Sequence, residues 1–254
     1  MIYIAGDTHN TEDMSNLSSK NMKLCCMEQD VDFHDITHAI VLGDFGLPWS
    51  SDCEIDDDGI HPVDHTDRYL LKWYNQKPFK ILAVMGNHEN YDMIEKLPPV
   101  EMFGGTVLKV SSNIFYLKRG EAYSIEDKKF FVLGGAKSED KAFRVPHESW
   151  WPEEEWNEGE KAHCLEVIRS CGGTFDYVLS HTGTSAGIMH TDSYYLNEEN
   201  LLELKADPNV CFNDQIDSMI RYKKWFFGHW HSDWGYESYK TSKYVPLYHT
   251  GIVL

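Results

Sequence analysis

The sequence predicts an α/β protein in which two packed β-sheets are flanked by helices. Two observations carry this. Short apolar runs, β-branched or aromatic and bounded by Gly, Asp, Asn and His, recur along the chain with helix-length stretches between them. Between Gly104 and Gly135 the runs instead follow one another closely, in the alternating pattern of antiparallel strands and hairpins. Strands alternating with helices, then a mainly antiparallel block, suit two sheets with helices on their outer faces.

In chain order, residues 2–5, 39–42 and 80–85 read as buried strands. Residues 106–110, 114–118, 123–125 and 129–133 form the antiparallel block, and 177–179 and 225–227 read as further buried strands. Helices are expected over 16–27, 67–76, 153–170 and 198–204, with a further turn near 215–221. Glu153, Glu154, Glu155, Glu158 and Glu160 read as a solvated helix start, where acidic residues favour the dipole. Two stretches read as insertions or lids. Residues 48–67 are polar, acidic (Asp52, Glu54, Asp56, Asp57, Asp58) and rich in turn formers, and residues 183–197 are polar and carry His190, Tyr194 and Tyr195. No repeat or low-complexity linker interrupts the chain, so 254 residues are expected to form one domain over 1–254.

No apolar stretch approaches the ~20 residues of a membrane helix. The opening residues have no basic segment and no cleavage site, so no secretory leader is expected. The six cysteines (Cys25, Cys26, Cys53, Cys164, Cys171, Cys211) lack a Cys-x-x-Cys pair or zinc-finger spacing, so free thiols and a cytoplasmic location are expected. The net charge of -18 argues against duplex nucleic acid as a partner, because binding its backbone needs a basic surface.

Five segments share one grammar, in which an apolar strand ends, a small residue follows, and oxygen or imidazole groups come next. They are Ile4-Ala5-Gly6-Asp7-Thr8-His9, Val41-Leu42-Gly43-Asp44, Val84-Met85-Gly86-Asn87-His88-Glu89, Val178-Leu179-Ser180-His181 and Phe226-Phe227-Gly228-His229-Trp230-His231. Ligands of open α/β sheets bind outside the carboxyl ends of the strands, so five such ends can converge on one point. Carboxylate, amide oxygen and imidazole without thiolate suit manganese, iron, zinc or nickel. Asp7, His9, Asp44, Asn87, His181, His229 and His231 are too many for one metal with open positions. Two metals can use them if a carboxylate bridges, with the ions ~3.5–4 Å apart.

The chain resembles the calcineurin-like metallophosphoesterase family, whose pattern is Asp-x-His, Gly-Asp, Gly-Asn-His-Glu/Asp, His and Gly-His-x-His. The resemblance runs from residue 4 to residue 231 and beyond, and it implies the four-layer α/β/β/α fold. It also implies that Asp7, His9 and His231 hold a first metal, Asn87, His181 and His229 a second, that Asp44 bridges them, and that His88 is the non-ligand histidine beside the scissile phosphate. Residues 134–144 with Ser149-Trp150-Trp151-Pro152-Glu153-Glu154 are similar to a bacterial and phage subgroup. Three departures stand out. Gly43-Asp44 is followed by Phe45-Gly46-Leu47-Pro48-Trp49, so the second Asp and the Arg of the protein-phosphatase branch are both missing. Position 10 is Asn where Gly is frequent, and His181 precedes Thr182-Gly183-Thr184 where Ala-Pro is common.

The implied activity is hydrolysis of a phosphate ester by hydroxide held between two divalent metals, manganese first among them, with His88 as general acid or hydrogen-bond donor. The missing Asp-Arg tilts this towards a phosphodiesterase or small-molecule phosphatase, with a protein or nucleotide phosphatase as the alternative. A small phosphorylated substrate remains compatible with the acidic balance because bound cations reverse the local field. Asn10, Lys141 and Arg144 are the candidate substrate contacts, surface ion pairing being the competing role for Lys141 and Arg144. An inactive scaffold of the same fold would be expected to have lost some of these groups. The His34/His38 and His61/His65 pairs have the spacing of a helical metal pair, but no Glu follows the first His, and Pro62 disfavours a helix at the second. Trp150 and Trp151 are expected to anchor a loop in the core.

Overall fold

The computed structural model describes residues 1–191, 197–233 and 235–254. The strands are β1 (Ile2–Ala5), β2 (His38–Val41), β3 (Cys53–Asp56), β4 (Gly59–Pro62), β5 (Lys80–Ala83), β6 (Pro99–Met102), β7 (Gly105–Lys109), β8 (Ile114–Leu117), β9 (Ala122–Ile125), β10 (Lys128–Val132), β11 (Tyr177–Leu179), β12 (Lys224–Phe227), β13 (Tyr244–Pro246) and β14 (Ile252–Val253). The helices are α1 (Ser19–Glu28), α2 (His65–Asn75), α3 (Tyr91–Ile94), α4 (Glu158–Ser170), α5 (Ser185–Thr191), α6 (Glu198–Ala206), α7 (Pro208–Met219) and α8 (Gly235–Thr241). The expected mixed α/β architecture, with sheets flanked by helices, is what the chain adopts.

A seven-stranded sheet runs β14-β1-β2-β5-β8-β7-β6 and a five-stranded sheet β13-β12-β11-β10-β9. In the first, β1, β2, β5 and β8 are parallel, and the register pairs Ala5 with Val41 and Val41 with Ala83. The carboxyl ends of β1, β2 and β5 are therefore level. In the second, β10 to β13 are parallel, with Leu179 opposite Phe226, so β11 and β12 also end side by side. This register turns five separate motifs into neighbours.

Three buried clusters hold the layers. Ile4, Ile40 and Leu82 of the first sheet pack with Val132, Leu179 and Phe226 of the second. Tyr3, Val41 and Ile81, alternating with these, face Met22 and Cys26 of α1 and Leu70 and Tyr74 of α2. On the far side, Phe131, Val178 and Trp225 meet Cys164 and Ile168 of α4 and Val210 and Ile216 of α7. The period-2 alternation explains why each strand serves two clusters. Each such side chain contributes roughly 1.5–3 kcal/mol on burial.

Several elements differ from expectation for identifiable reasons. The helix expected near 215–221 begins at Pro208, where Asp207 caps through Asn209 and Val210 and Pro occupies the first turn. The helix expected from 153 begins at Glu158, capped by Asn157 in a reciprocal box with Glu160, while Pro152–Glu154 is a single 3-10 turn. Glu154, expected in solvent, is fully buried. Residues 48–67 contain the β3–β4 hairpin and the Asp64 cap of α2. Of the polar stretch 183–197, α5 is helical, and Tyr194 and Tyr195 lie outside the described residues. Trp151 is buried as expected, and all six cysteines are free. No helix among the described residues is long and apolar enough to cross a membrane.

Candidate metal centre

The loops leaving β1, β2, β5, β11 and β12 meet. Three sets of ligand-type atoms each lie within 4.8 Å of one another: Asp7–His9–His231, His9–Asp44–His88 and Asp44–His181–His229. Asn87 joins the last set, its Oδ1 2.9 Å from His181 Nε2. Asp44 lies between the sets. Its Oδ2 is 3.2 Å from His9 Nε2 and its Oδ1 3.1 Å from His181 Nε2.

The backbone is strained here to bring these groups in. His9 (φ 40°), Asn10 (56°), Asp44 (50°), His229 (65°) and His231 (47°) all occupy the left-handed region, which costs a non-glycine residue ~1 kcal/mol or more. Cross-loop hydrogen bonds hold them: His9 N donates to Asp44 O (2.7 Å), His88 N to Asp44 Oδ1 (2.8 Å) and His229 N to Asp7 Oδ2 (2.9 Å). The glycine before a ligand makes room for a ligand from another loop. A Cβ on Gly43 (φ 111°) would lie 2.2 Å from His181 Nδ1, and one on Gly228 2.0 Å from Asp7 Oδ1. Gly228→Ala is therefore expected to push Asp7 or the 228–231 loop aside, at a cost of ~1–3 kcal/mol in urea unfolding. Unchanged stability would show that the loop has slack.

Electrostatics bind the cluster together. Burial pushes the Asp7 carboxyl up to about 7, against the pull of His181. Burial also acts to raise Asp44, but His181 and His9 hold it well below the usual carboxylate range. Burial disfavours the protonated rings of His9 and His181, yet Asp44 carries both up to about 9. Burial and the neighbouring His181 push His229 down to about 3, leaving a neutral imidazole. Burial lowers His88, and Arg144 adds to the effect.

A divalent cation fits this donor set. Asp7 is fully buried, and its Oδ1 has no hydrogen-bond partner, an arrangement that costs free energy unless a cation faces it. His181 Nδ1 lies 2.8 Å from Leu42 O, which makes Nδ1 an N–H donor, and Nε2 faces Asp44 and Asn87, where a bound cation would take the place of its proton. His9 Nδ1 lies 2.8 Å from Asp13 Oδ2, the outer carboxylate that ligating histidines commonly use. Tyr248 donates to the same Asp13 oxygen (3.2 Å) and stacks on His231 (centroids 4.2 Å, 5° between planes). Asp233 fixes that tyrosine by accepting from the backbone N–H of Tyr248, His249 and Thr250. Glu89, pushed up to about 7 by burial and Asp44, accepts from Phe45 N, Gly46 N and Tyr116 Oη, locking the Asp44 loop to the Asn87 loop.

A cavity of about 470 Å³ opens beside the cluster, lined in part by His9, Asn10, Trp49, His88 and Arg144. Of the expected substrate contacts it gathers two. Asn10 donates to Gly46 O (3.2 Å). Arg144 Nη1 is 3.2 Å from His88 Nδ1 and Nη2 3.4 Å from Nε2, while its Nε pairs with Asp140 (2.7 Å). Arg144 thus brings a guanidinium to the cavity from another loop. Lys141 pairs with Glu155 (3.3 Å) and does not line the cavity.

Sequence reasoning gave no site role to Asp13, Glu89, Ser138, Glu154, Asp233 or Tyr248. Asp13 carries a local signal, a carboxylate four residues after a histidine, and Glu89 closes the Gly-Asn-His-Glu motif. His38 and His61 pair with Glu126 and Asp56, and neither histidine pair forms a metal-ligand group among the described residues. No curated protein matches the chain. A family model, calcineurin-like phosphoesterase, matches residues 1–233, spanning all five motif loops. Proteins of this family are typically hydrolases acting on phosphoesters, and the chain belongs to the calcineurin-like phosphoesterase family.

Proposed function

We propose that the protein hydrolyses a small phosphate ester, a diester or the monoester of a small molecule, using two divalent metal ions. The observation that carries this reading is the Asp44 carboxylate between two ligand sets, one oxygen towards His9 and the other towards His181. On this reading Asp7, His9 and His231 would hold one ion, Asn87, His181 and His229 would hold the other, and Asp44 would serve both. Imidazole, carboxylate and amide oxygen without thiolate favour manganese, with iron, zinc or nickel as further candidates. When bound, such a pair of ions supplies Lewis-acid charge for the phosphoryl oxygens and acidifies water.

The chain's own groups do the rest. Asp44 and Asp7 set the negative charge that keeps the ions in place. His88, at the cavity wall, gives an N–H to the leaving oxygen or to a phosphate oxygen. Arg144 grips phosphate and rests on the His88 ring, and Asn10 borders the same space. Lys141, paired with Glu155, takes no part. The cavity's size and the net charge of -18 favour a small substrate over nucleic acid. Of the diester and the monoester, Arg144 beside the cluster favours the dianionic monoester, because guanidinium matches phosphate geometry.

Protein loaded with manganese and freed of excess is expected to carry about two ions per chain by elemental analysis. A chain that holds none after exposure to manganese, iron, zinc and nickel in turn would end the reading. A screen of aryl and alkyl monoesters, diesters, cyclic nucleotides and phosphopeptides separates the substrate classes.

A further inference from the structure

Asn87 differs from the other proposed ligands in one respect: its two terminal atoms have the same shape and opposite chemistry. The amide oxygen can ligate a cation, whereas the NH2 group only donates hydrogen bonds. Some neighbour must set which end faces the metal position.

We propose that Ser138 and Glu154 perform this task as a directional hydrogen-bond relay, a proposal that rests on reading Asn87 as a metal ligand. Asn87 Nδ2 donates to Ser138 Oγ (3.1 Å), and Ser138 Oγ donates to Glu154 Oε2 (2.6 Å). Ser138 N donates to the other carboxylate oxygen, Oε1 (2.8 Å). A serine hydroxyl has one hydrogen, and an ionised carboxylate can only accept. The Ser138 hydrogen is therefore committed to Glu154, and its remaining lone pairs face Asn87. Only the NH2 end of the amide satisfies them, so Oδ1 is turned towards His181 Nε2, 2.9 Å away. The relay is closed to solvent: Asn87 is 4% exposed, Ser138 1% and Glu154 0%. Burial makes the wrong orientation costly, since it would leave a lone pair and an N–H both mispaired.

Ser138 and Glu154 belong to the segment that also carries Arg144 onto His88. That segment thus serves two neighbouring groups of one loop, the amide of Asn87 and the ring of His88. Ser138 and Glu154 are positioning residues, acting on the ion through Asn87.

The test is titration of the full-length chain with manganese alone, by calorimetry or equilibrium dialysis, for wild type, Ser138→Ala and Glu154→Gln. Both variants are expected to bind one ion ~10–100-fold more weakly, the range for losing an outer-shell partner, while the other ion keeps its wild-type affinity. Glu154→Gln preserves side-chain volume, so it carries the test if Ser138→Ala folds poorly. Equal retention of both ions by the variants would overturn the relay. So would a uniform loss at both sites together with a lowered unfolding midpoint, which is what a merely structural role produces. Wild type binding two ions with unaffected variants removes only the relay, whereas wild type binding none removes the metal reading as well.

Discussion

Asp44→Asn is expected to reduce turnover of an aryl phosphodiester with manganese by ~10³-fold or more while the chain stays folded. Losing a single electrostatic contact to a reacting group costs ~10²–10³, and on the proposed reading Asp44 serves two ions. Its carboxylate is 1% exposed, with one oxygen 3.2 Å from His9 Nε2 and the other 3.1 Å from His181 Nε2. Asparagine keeps the shape and one acceptor oxygen, so the bond from His88 N can survive. It loses the charge, and it turns an NH2 towards one of two imidazoles. His9 and His181, held up to about 9 by this carboxylate, would then lose the main influence raising them. The measurement is kcat at saturating manganese beside a thermal melt. Wild-type rates in a folded variant would break the assignment of Asp44 to both ions.

The strands that build the site were legible because they are short, apolar and followed by a small residue and a ligand. The sheet register then makes Ala5, Val41 and Ala83 level without help from side-chain patterning. Edge strands were harder to see. β14 has two residues and β13 contains Pro246, so neither carries a periodic signal. Glu154 was misplaced in solvent because its surroundings in sequence are acidic, and only the fold puts Ser138 against it. Arg144 reads from the sequence as a candidate phosphate contact, but its place on His88 depends on a loop path that spacing does not encode. Asp233 and Tyr248 act across a strand and a loop, each through backbone or ring contacts that leave no motif. The proposed ligands are readable because metal chemistry restricts residue type. Their supports use ordinary hydrogen bonds open to many residue types.

His88→Ala is expected to lower the rate ~10²–10⁴-fold on esters with poor leaving groups, with metal content unchanged. The backbone explains why the two effects separate. His88 holds Asp44 through its main-chain N–H, 2.8 Å from Oδ1, and alanine retains that group. The ring is the part removed, and it faces the cavity shared with Asn10, Trp49 and Arg144. Arg144 keeps its own anchors, Asp140 at 2.7 Å and Ser149 O at 3.0 Å, so the guanidinium stays at the cavity without the ring. A ring that protonates the leaving oxygen matters most when that oxygen is a strong base. The loss should therefore be steep for alkyl esters and shallow for nitrophenyl esters. A uniform loss across leaving groups would instead assign His88 to a phosphate oxygen. Full rate on alkyl esters, with both ions still bound, would remove His88 from the chemistry altogether.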